Sequence, residues 1–166
     1  MNTPFIKNFR EERELTVMIL VDISASSGFG STGYSKANVI AKICATLAFS
    51  AIKNNDKVGL ILFFFFFEKY IPPQKGSKHV LRVIRELLVS AKMLENDPIR
   101  TSTNINVALE HLNKLHKRRG VCFLVSDFMS EDFEKDIRIT SKRHEIVAIS
   151  IVDPREIMIP SVGLLE

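Results

Sequence analysis

Three apolar runs, each closed by an aspartate, constrain the fold of this chain more than any other feature. Residues 15–21 (LTVMILV) stop at Asp22, residues 121–125 at Ser126 and Asp127, and residues 146–152 at Asp153 followed by Pro154. A strand without polar alternation needs cover on both faces, as interior strands of a parallel sheet have. In an open α/β sheet such strands bring their carboxyl ends to one edge, where ligands bind. The expectation is three buried strands with three carboxylates at one sheet edge.

Between the runs, apolar residues recur at helical spacing. They cover residues 35–53 (Val39, Ile40, Ile43, Leu47, Ala51, Ile52), 78–94 (Val80, Leu81, Ile84, Leu87, Leu88, Ala91) and 104–118 (Ile105, Ala108, Leu109, Leu112, Leu115). A shorter helix is expected from about Ser130, with Ser130 as its cap and Glu131 and Asp132 in its first turn. This alternation argues for an α/β protein: a three-layer Rossmannoid, doubly wound, mostly parallel sheet with helices on both faces. One hairpin interrupts it. Residues 58–67 read as a strand, the chain resumes at Lys69, Tyr70 and Ile71, and Pro72 and Pro73 stop it. A short antiparallel edge strand fits this pattern. The five phenylalanines from Phe63 to Phe67 alternate faces in a strand and need cover on each side, so a locally buried hairpin is preferred to a partner surface.

The chain of 166 residues is the size of one domain with one core. With 46% apolar and 25% charged residues it is a folded globular chain and not a disordered one. Its longest uncharged apolar stretch, residues 58–67, is short of the roughly 18–20 residues that cross a bilayer. The first fourteen residues lack the apolar core of a signal peptide, so a cytoplasmic location without membrane insertion is expected. Cys44 and Cys122 each sit among apolar neighbours with no C-x-x-C motif, which makes them buried thiols and not zinc ligands. The net charge is +4, and the basic run Lys117, Arg118, Arg119 reads as a solvated helix end. No nucleic-acid partner is expected from so small and dispersed an excess. His79, His111, His116 and His144 are expected on or near exposed, charged helix faces.

Asp22-Ile23-Ser24-Ala25-Ser26 carries the most chemistry. A carboxylate and two hydroxyls alternate where a buried strand runs into a loop, which points all three to one side. Oxygen-only ligands suit a hard cation such as Mg²⁺. Asp127 supplies a second carboxylate from another strand end, and the hydroxyls of Thr101, Ser102 and Thr103 precede a helix. Taken alone, D-x-S-x-S is equally a cap or an Asx-turn; the combination shifts the reading towards a metal.

Asp22-x-Ser24-x-Ser26, then Thr103, then Asp127 resembles the metal-ion-dependent adhesion site (MIDAS) of von Willebrand factor A (vWA) domains. The likeness runs through nearly the whole chain. The segments FREERELTVMILVDISAS, AFSAIKNNDKVGLILF, EKYIPP, HVLRVIRELL, FLVSDF and VAISIVDPRE resemble a bacterial branch known as a domain of unknown function, often encoded beside MoxR-type AAA+ ATPases. The resemblance implies that Ser24, Ser26 and Thr103 ligate Mg²⁺ or Mn²⁺ directly, with Asp22 and Asp127 bound directly or through water. It also implies a non-catalytic protein-binding module whose ion takes an Asp or Glu from a partner, with a MoxR-type ATPase as the candidate by association. Two carboxylates roughly neutralise a divalent ion and hydroxyls add no charge, so a further carboxylate is reasonable. Members of this branch carry more sequence on both sides, so residues 1–166 are expected to be a single vWA-like domain within a longer protein. The chain departs from the family in two places. Thr101 and Ser102 stand where a small residue usually precedes the ligand threonine, and Phe64 to Phe67 replace a polar turn.

Other readings are weaker. Gly28-Phe29-Gly30-Ser31-Thr32-Gly33 spells G-x-G-x-x-G, but it follows its strand too late for a dinucleotide loop, and a phenylalanine stands where ribose recognition needs an acid. A Mg²⁺-dependent phosphohydrolase of the haloacid-dehalogenase type needs a carboxylate two residues after Asp22, where Ser24 stands. Asp22→Ala is expected to abolish metal and partner binding with the fold intact.

Overall fold

A computed structural model describes residues 14–24, 30–31, 34–94, 102–130 and 132–152. In chain order the elements are β1 (Thr16–Asp22), β2 (Gly30–Ser31), β3 (Tyr34–Ser35), α1 (Lys36–Lys53), β4 (Lys57–Phe63), β5 (Phe67–Gln74), α2 (Ser77–Leu94), α3 (Ile105–Leu115), β6 (Val121–Ser126), α4 (Glu134–Ser141) and β7 (Glu145–Ser150). Five strands form one sheet in the order β5-β4-β1-β6-β7, while β2 and β3 pair separately as a short antiparallel ribbon. In the five-stranded sheet the pairs β1–β4, β1–β6 and β6–β7 are parallel, and β5 runs antiparallel to β4. Among the described residues no helix is long and apolar enough to cross a membrane.

Side chains of β1 alternate between two cores, as the two-residue period of a strand requires. Val17, Ile19 and Val21 meet α1 (Ile40, Cys44, Ala48) and α2 (Val80, Val83, Leu87). Met18 and Leu20 meet α3 (Ile105, Ala108, Leu109, Leu112), with Ile137 of α4 packed alongside. The result is three layers, with β1 buried on both faces as its unbroken apolar run demands. Thr140, fully buried, fastens α4 to α3: its hydroxyl donates to the Asp136 carbonyl (2.7 Å) and accepts from Asn113 Nδ2 (2.9 Å).

Gly59 stands opposite Met18 in the β1–β4 register, on the α3 face. A Cβ there would lie 2.6 Å from the Met18 sulfur and 2.9 Å from the Ile71 carbonyl oxygen, so the glycine makes room for both. The β4–β5 register also shifts beside it: Val58 faces Gln74 and Leu60 faces Ile71, so Pro72 and Pro73 together oppose the single Gly59. A bulge on an edge strand tolerates prolines that cannot donate to a ladder. The prolines therefore do not stop β5, which runs on to Gln74.

Several sequence expectations are corrected. The turn falls inside the phenylalanine run, at residues 64–66, where the Phe64 N–H donates to the Phe66 carbonyl (3.0 Å). The hairpin is not fully buried: Phe65 and Phe66 are exposed. The third helix ends at Leu115, so Lys117, Arg118 and Arg119 lie in the following loop, all exposed. The fourth begins at Glu134 after Phe133, with no side-chain cap; the Ser130 hydroxyl faces the Ile105 N–H (3.5 Å) instead. The last apolar run, β7, is an edge strand and not an interior one, with Val147 exposed.

Cys44 and Cys122 are both buried, and burial pushes each thiol up to about 12. Thiolates are the reactive form. Neither cysteine should react with a thiol reagent at about pH 8 in the folded protein, and both should react once denaturant is added.

The histidines are less solvated than their charged surroundings imply. His79 is buried with Nε2 2.7 Å from the Val58 carbonyl oxygen, and buried His144 donates from Nε2 to the His116 carbonyl (3.0 Å). His116 Nε2 in turn lies 2.9 Å from the Tyr70 hydroxyl. Burial lowers the pKa of His116, helped by His144; burial also lowers that of His144, opposed by its bond to the His116 carbonyl and helped by Arg143. Unfolded imidazoles titrate near 6.5. Below that value the unfolded chain takes up protons that the native one refuses, so native stability falls as pH drops. The thermal midpoint should therefore decrease between about pH 7.5 and about pH 5.5, with a shallower fall in His116→Asn.

Candidate functional site

The strand order β5-β4-β1-β6-β7 changes direction between β1 and β6, and the crevice at such a point is where open α/β sheets bind ligands. Val21 pairs with Val125 in register, so Asp22 and Ser126 follow as neighbours at the two strand ends. Asp22 is 1% exposed. Its Oδ1 accepts from the Ser24 N–H (2.8 Å) and its Oδ2 from the Ser126 hydroxyl (2.7 Å). Ser126 Oγ also accepts from the Phe128 N–H (3.0 Å), which orients its proton towards Asp22. Asp127 accepts from the Met129 N–H at Oδ1 (3.1 Å), as an Asx-turn.

Burial raises the Asp22 pKa above its ordinary carboxylate value, against the hydrogen bonds from Ser24 and Ser126, and the nearby Asp127 carboxylate pushes the same way as burial. Among the described residues neither aspartate has an ion-pair partner. The edge thus brings two carboxylates together, one of them buried, and burying a charge is costly unless it is compensated.

The hairpin turn completes the arrangement. The Ile23 N–H donates to the Phe63 carbonyl (2.6 Å) and the Asn104 N–H to the Phe64 carbonyl (2.8 Å). Consecutive carbonyls of one turn therefore hold the Asp22–Ile23 and Thr103–Asn104 peptides, bringing Thr103 to the Asp22 edge. Asn104 caps α3 by accepting from the Asn106 N–H (3.1 Å), and Asn106 Nδ2 donates to the Asp132 carbonyl (3.0 Å). Thr103 Oγ1 is buried and, among the described residues, has no hydrogen-bond partner.

Of the residues singled out from the sequence, Asp22, Ser24, Thr103 and Asp127 gather at this edge. Ser26, Thr101, Asp153 and most of the G-x-G-x-x-G loop lie outside the described residues. Among the described residues no cluster of three or more His, Cys, Asp or Glu is placed to hold a metal, so any ion here would rely on hydroxyls as well as carboxylates. Two contributors escaped the sequence reading. Ser126 could have been found from its place before Asp127 at the end of a strand next to β1. The Phe63 and Phe64 carbonyls leave no sequence signal, because every residue has one.

A family model for the Protein of unknown function DUF58 matches residues 1–166. The chain belongs to the DUF58 family. An uncharacterized protein of Mycobacterium tuberculosis is 26% identical to this DUF58 chain over 161 residues, which is 96% of the chain but 50% of the relative. The DUF58 chain thus spans about half the length of the curated relatives it matches first. Among solved structures, an aerotolerance-related membrane protein from Bacteroides fragilis superposes with a TM-score of 0.59 at 18% identity, covering 82% of the chain and 67% of that structure. A mussel byssus matrix protein with a zinc-occupied MIDAS motif gives 0.58 at 14% identity, over 82% of the chain and 38% of that structure. A VWA domain of Rpn10 gives 0.50 at 15%, over 84% and 77%. At such identities the likeness concerns the fold: the DUF58 chain has a vWA-like three-layer α/β architecture.

Proposed function

We propose that this domain is a divalent-metal-dependent protein-binding module, with Asp22, Ser24, Thr103 and Asp127 holding Mg²⁺ or Mn²⁺ at the sheet edge. The observation that carries the reading is Thr103 Oγ1, a buried hydroxyl without a hydrogen-bond partner among the described residues, brought to the edge where Asp22 and Asp127 have no ion-pair partner among them. Buried polar atoms are nearly always satisfied, and an orphaned hydroxyl near two carboxylates fits the donor set of a hard cation. Oxygen-only donors of this kind suit a hard ion. The zinc-occupied MIDAS of the byssus protein lends support by fold analogy. When bound, the ion supplies an electrophilic position for a carboxylate of another protein. Ser24, and not an acid, stands two residues after Asp22, which favours capture over phosphoryl chemistry. Ser26 is assigned to the same site, and a MoxR-type ATPase is the partner that the family resemblance favours.

Calorimetric titration of Mn²⁺ and Mg²⁺ tests the site. Saturable one-to-one binding is the expected result. Flat titrations with both ions would overturn the metal reading.

A further inference from the structure

The fold leaves two aromatic rings uncovered at the tip of the β4–β5 hairpin. Phe63 is buried on the α3 face and Phe64 packs partly into the opposite core, whereas Phe65 and Phe66 are 46% and 63% exposed. The exposed rings meet edge to face with centroids 5.0 Å apart, and Phe66 meets Phe64 in the same manner at 5.9 Å. This bracing orders them in advance, which lowers the entropy lost on binding.

Their position distinguishes them from ordinary surface residues. The carbonyl of Phe64, covalently joined to Phe65, accepts the N–H that follows Thr103, and the carbonyl one residue earlier accepts the N–H that follows Asp22. The rings therefore rise from the same turn that joins the two halves of the candidate metal site. On the other side of β1, Met129 is 80% exposed and follows Asp127 by two residues, with its N–H on the Asp127 carboxylate. Apolar side chains thus flank the carboxylate edge from both neighbouring strands.

Resting on the metal reading above, we propose that Phe65 and Phe66, with Met129, form an apolar rim that selects a partner segment with a bulky apolar side chain beside its metal-reaching carboxylate. Charge alone accepts any acidic chain, and exposed rings alone accept any apolar one. Side by side they fit a single chemistry, an acidic residue followed by large aliphatic or aromatic residues. The carboxylate complements the ion, and the adjacent side chain removes the rings from water.

The test uses the full chain with Mn²⁺ and three glycine-based peptides containing Asp-Leu-Phe, Asp-Gly-Gly or Asn-Leu-Phe. Fluorescence anisotropy should show Asp-Leu-Phe binding about ten- to hundredfold tighter than Asp-Gly-Gly, with Asn-Leu-Phe not retained. In a Phe65→Ser/Phe66→Ser variant that ratio should collapse to below about threefold, while the Mn²⁺ affinity stays that of the wild type. The backbone carbonyls that hold the site are untouched by these substitutions; Phe66→Ser alone, at the more exposed ring, serves if the double variant misfolds. A ratio that survives in the variants overturns the rim, as does equal binding of the Asp and Asn peptides. Self-association of the wild type that the variant abolishes would assign the rings to a second copy and likewise overturn it. Mn²⁺ binding without peptide discrimination counts against the rim alone. Absence of Mn²⁺ binding defeats the metal reading and the rim with it.

Discussion

Asp22→Asn should lower Mn²⁺ affinity by more than about a hundredfold with little change in the thermal stability of the metal-free protein. The amide preserves the shape of the carboxylate but reverses its hydrogen bond with Ser126. Its oxygen can accept from the Ser24 N–H, and its nitrogen can donate to Ser126 Oγ, whose own proton must then turn to another acceptor. What disappears is a buried negative charge that burial and the Asp127 carboxylate both disfavour. The loss of that charge offsets the displaced Ser126 proton, so the metal-free variant should melt close to the wild type. Asp22→Ala is a different experiment: it strands the Ser24 N–H and the Ser126 hydroxyl at a position 1% exposed, at a cost of about 1–3 kcal/mol for each unsatisfied group. The sequence-based expectation that alanine leaves the fold intact must meet this cost, and the melts test it. Calorimetry paired with thermal melts checks both variants. Wild-type affinity in Asp22→Asn would remove Asp22 from the site.

Leu20→Ala should destabilise the fold by about 2–5 kcal/mol in urea denaturation. Leu20 lies in the central strand, fully buried on the α3 face between Ile61 of β4 and Leu124 of β6. Neighbours on both sides are locked into the ladder and cannot collapse into the space left behind. Val147→Ala on the β7 edge, where the side chain is 37% exposed, should cost less than about 1 kcal/mol. Similar costs at the two positions would contradict the strand order.

The two substitutions also mark where a linear reading of this chain works. The run that forms β1 has no polar residue to expose, so a buried central strand is the only comfortable place for it. The run that forms β7 looks the same in one dimension, yet it lies at the edge, because apolar continuity reports what a strand can tolerate and not where it ranks in the sheet. Helix spacing located α1 and α2 within a residue of their observed ends. It overran α3, since nothing in the pattern weighs the exposed basic loop after Leu115. The hairpin turn was hidden because five identical phenylalanines erase the polar signal that normally marks a turn. At the candidate site, Asp22 and Asp127 were visible as acids at strand ends. Ser126 became meaningful only once the register set it beside Asp22, and the hairpin carbonyls are invisible to any reading of side chains.

The sheet order also predicts a gradient of amide hydrogen exchange across the molecule. Strand β1 is hydrogen-bonded on both sides, so its amides should open to solvent only when the whole domain unfolds, whereas the outward amides of β5 and β7 can exchange through local fraying. Asp22 terminates the slowest-exchanging strand, while the hairpin carrying Phe65 and Phe66 leads into an edge strand. The turn before it is tied to Ile23 and Asn104, so its contacts should protect the Ile23 and Asn104 amides from exchange while the outer amides of β5 fray, which would leave the aromatic tip anchored to the carboxylate edge and not to the border of the sheet.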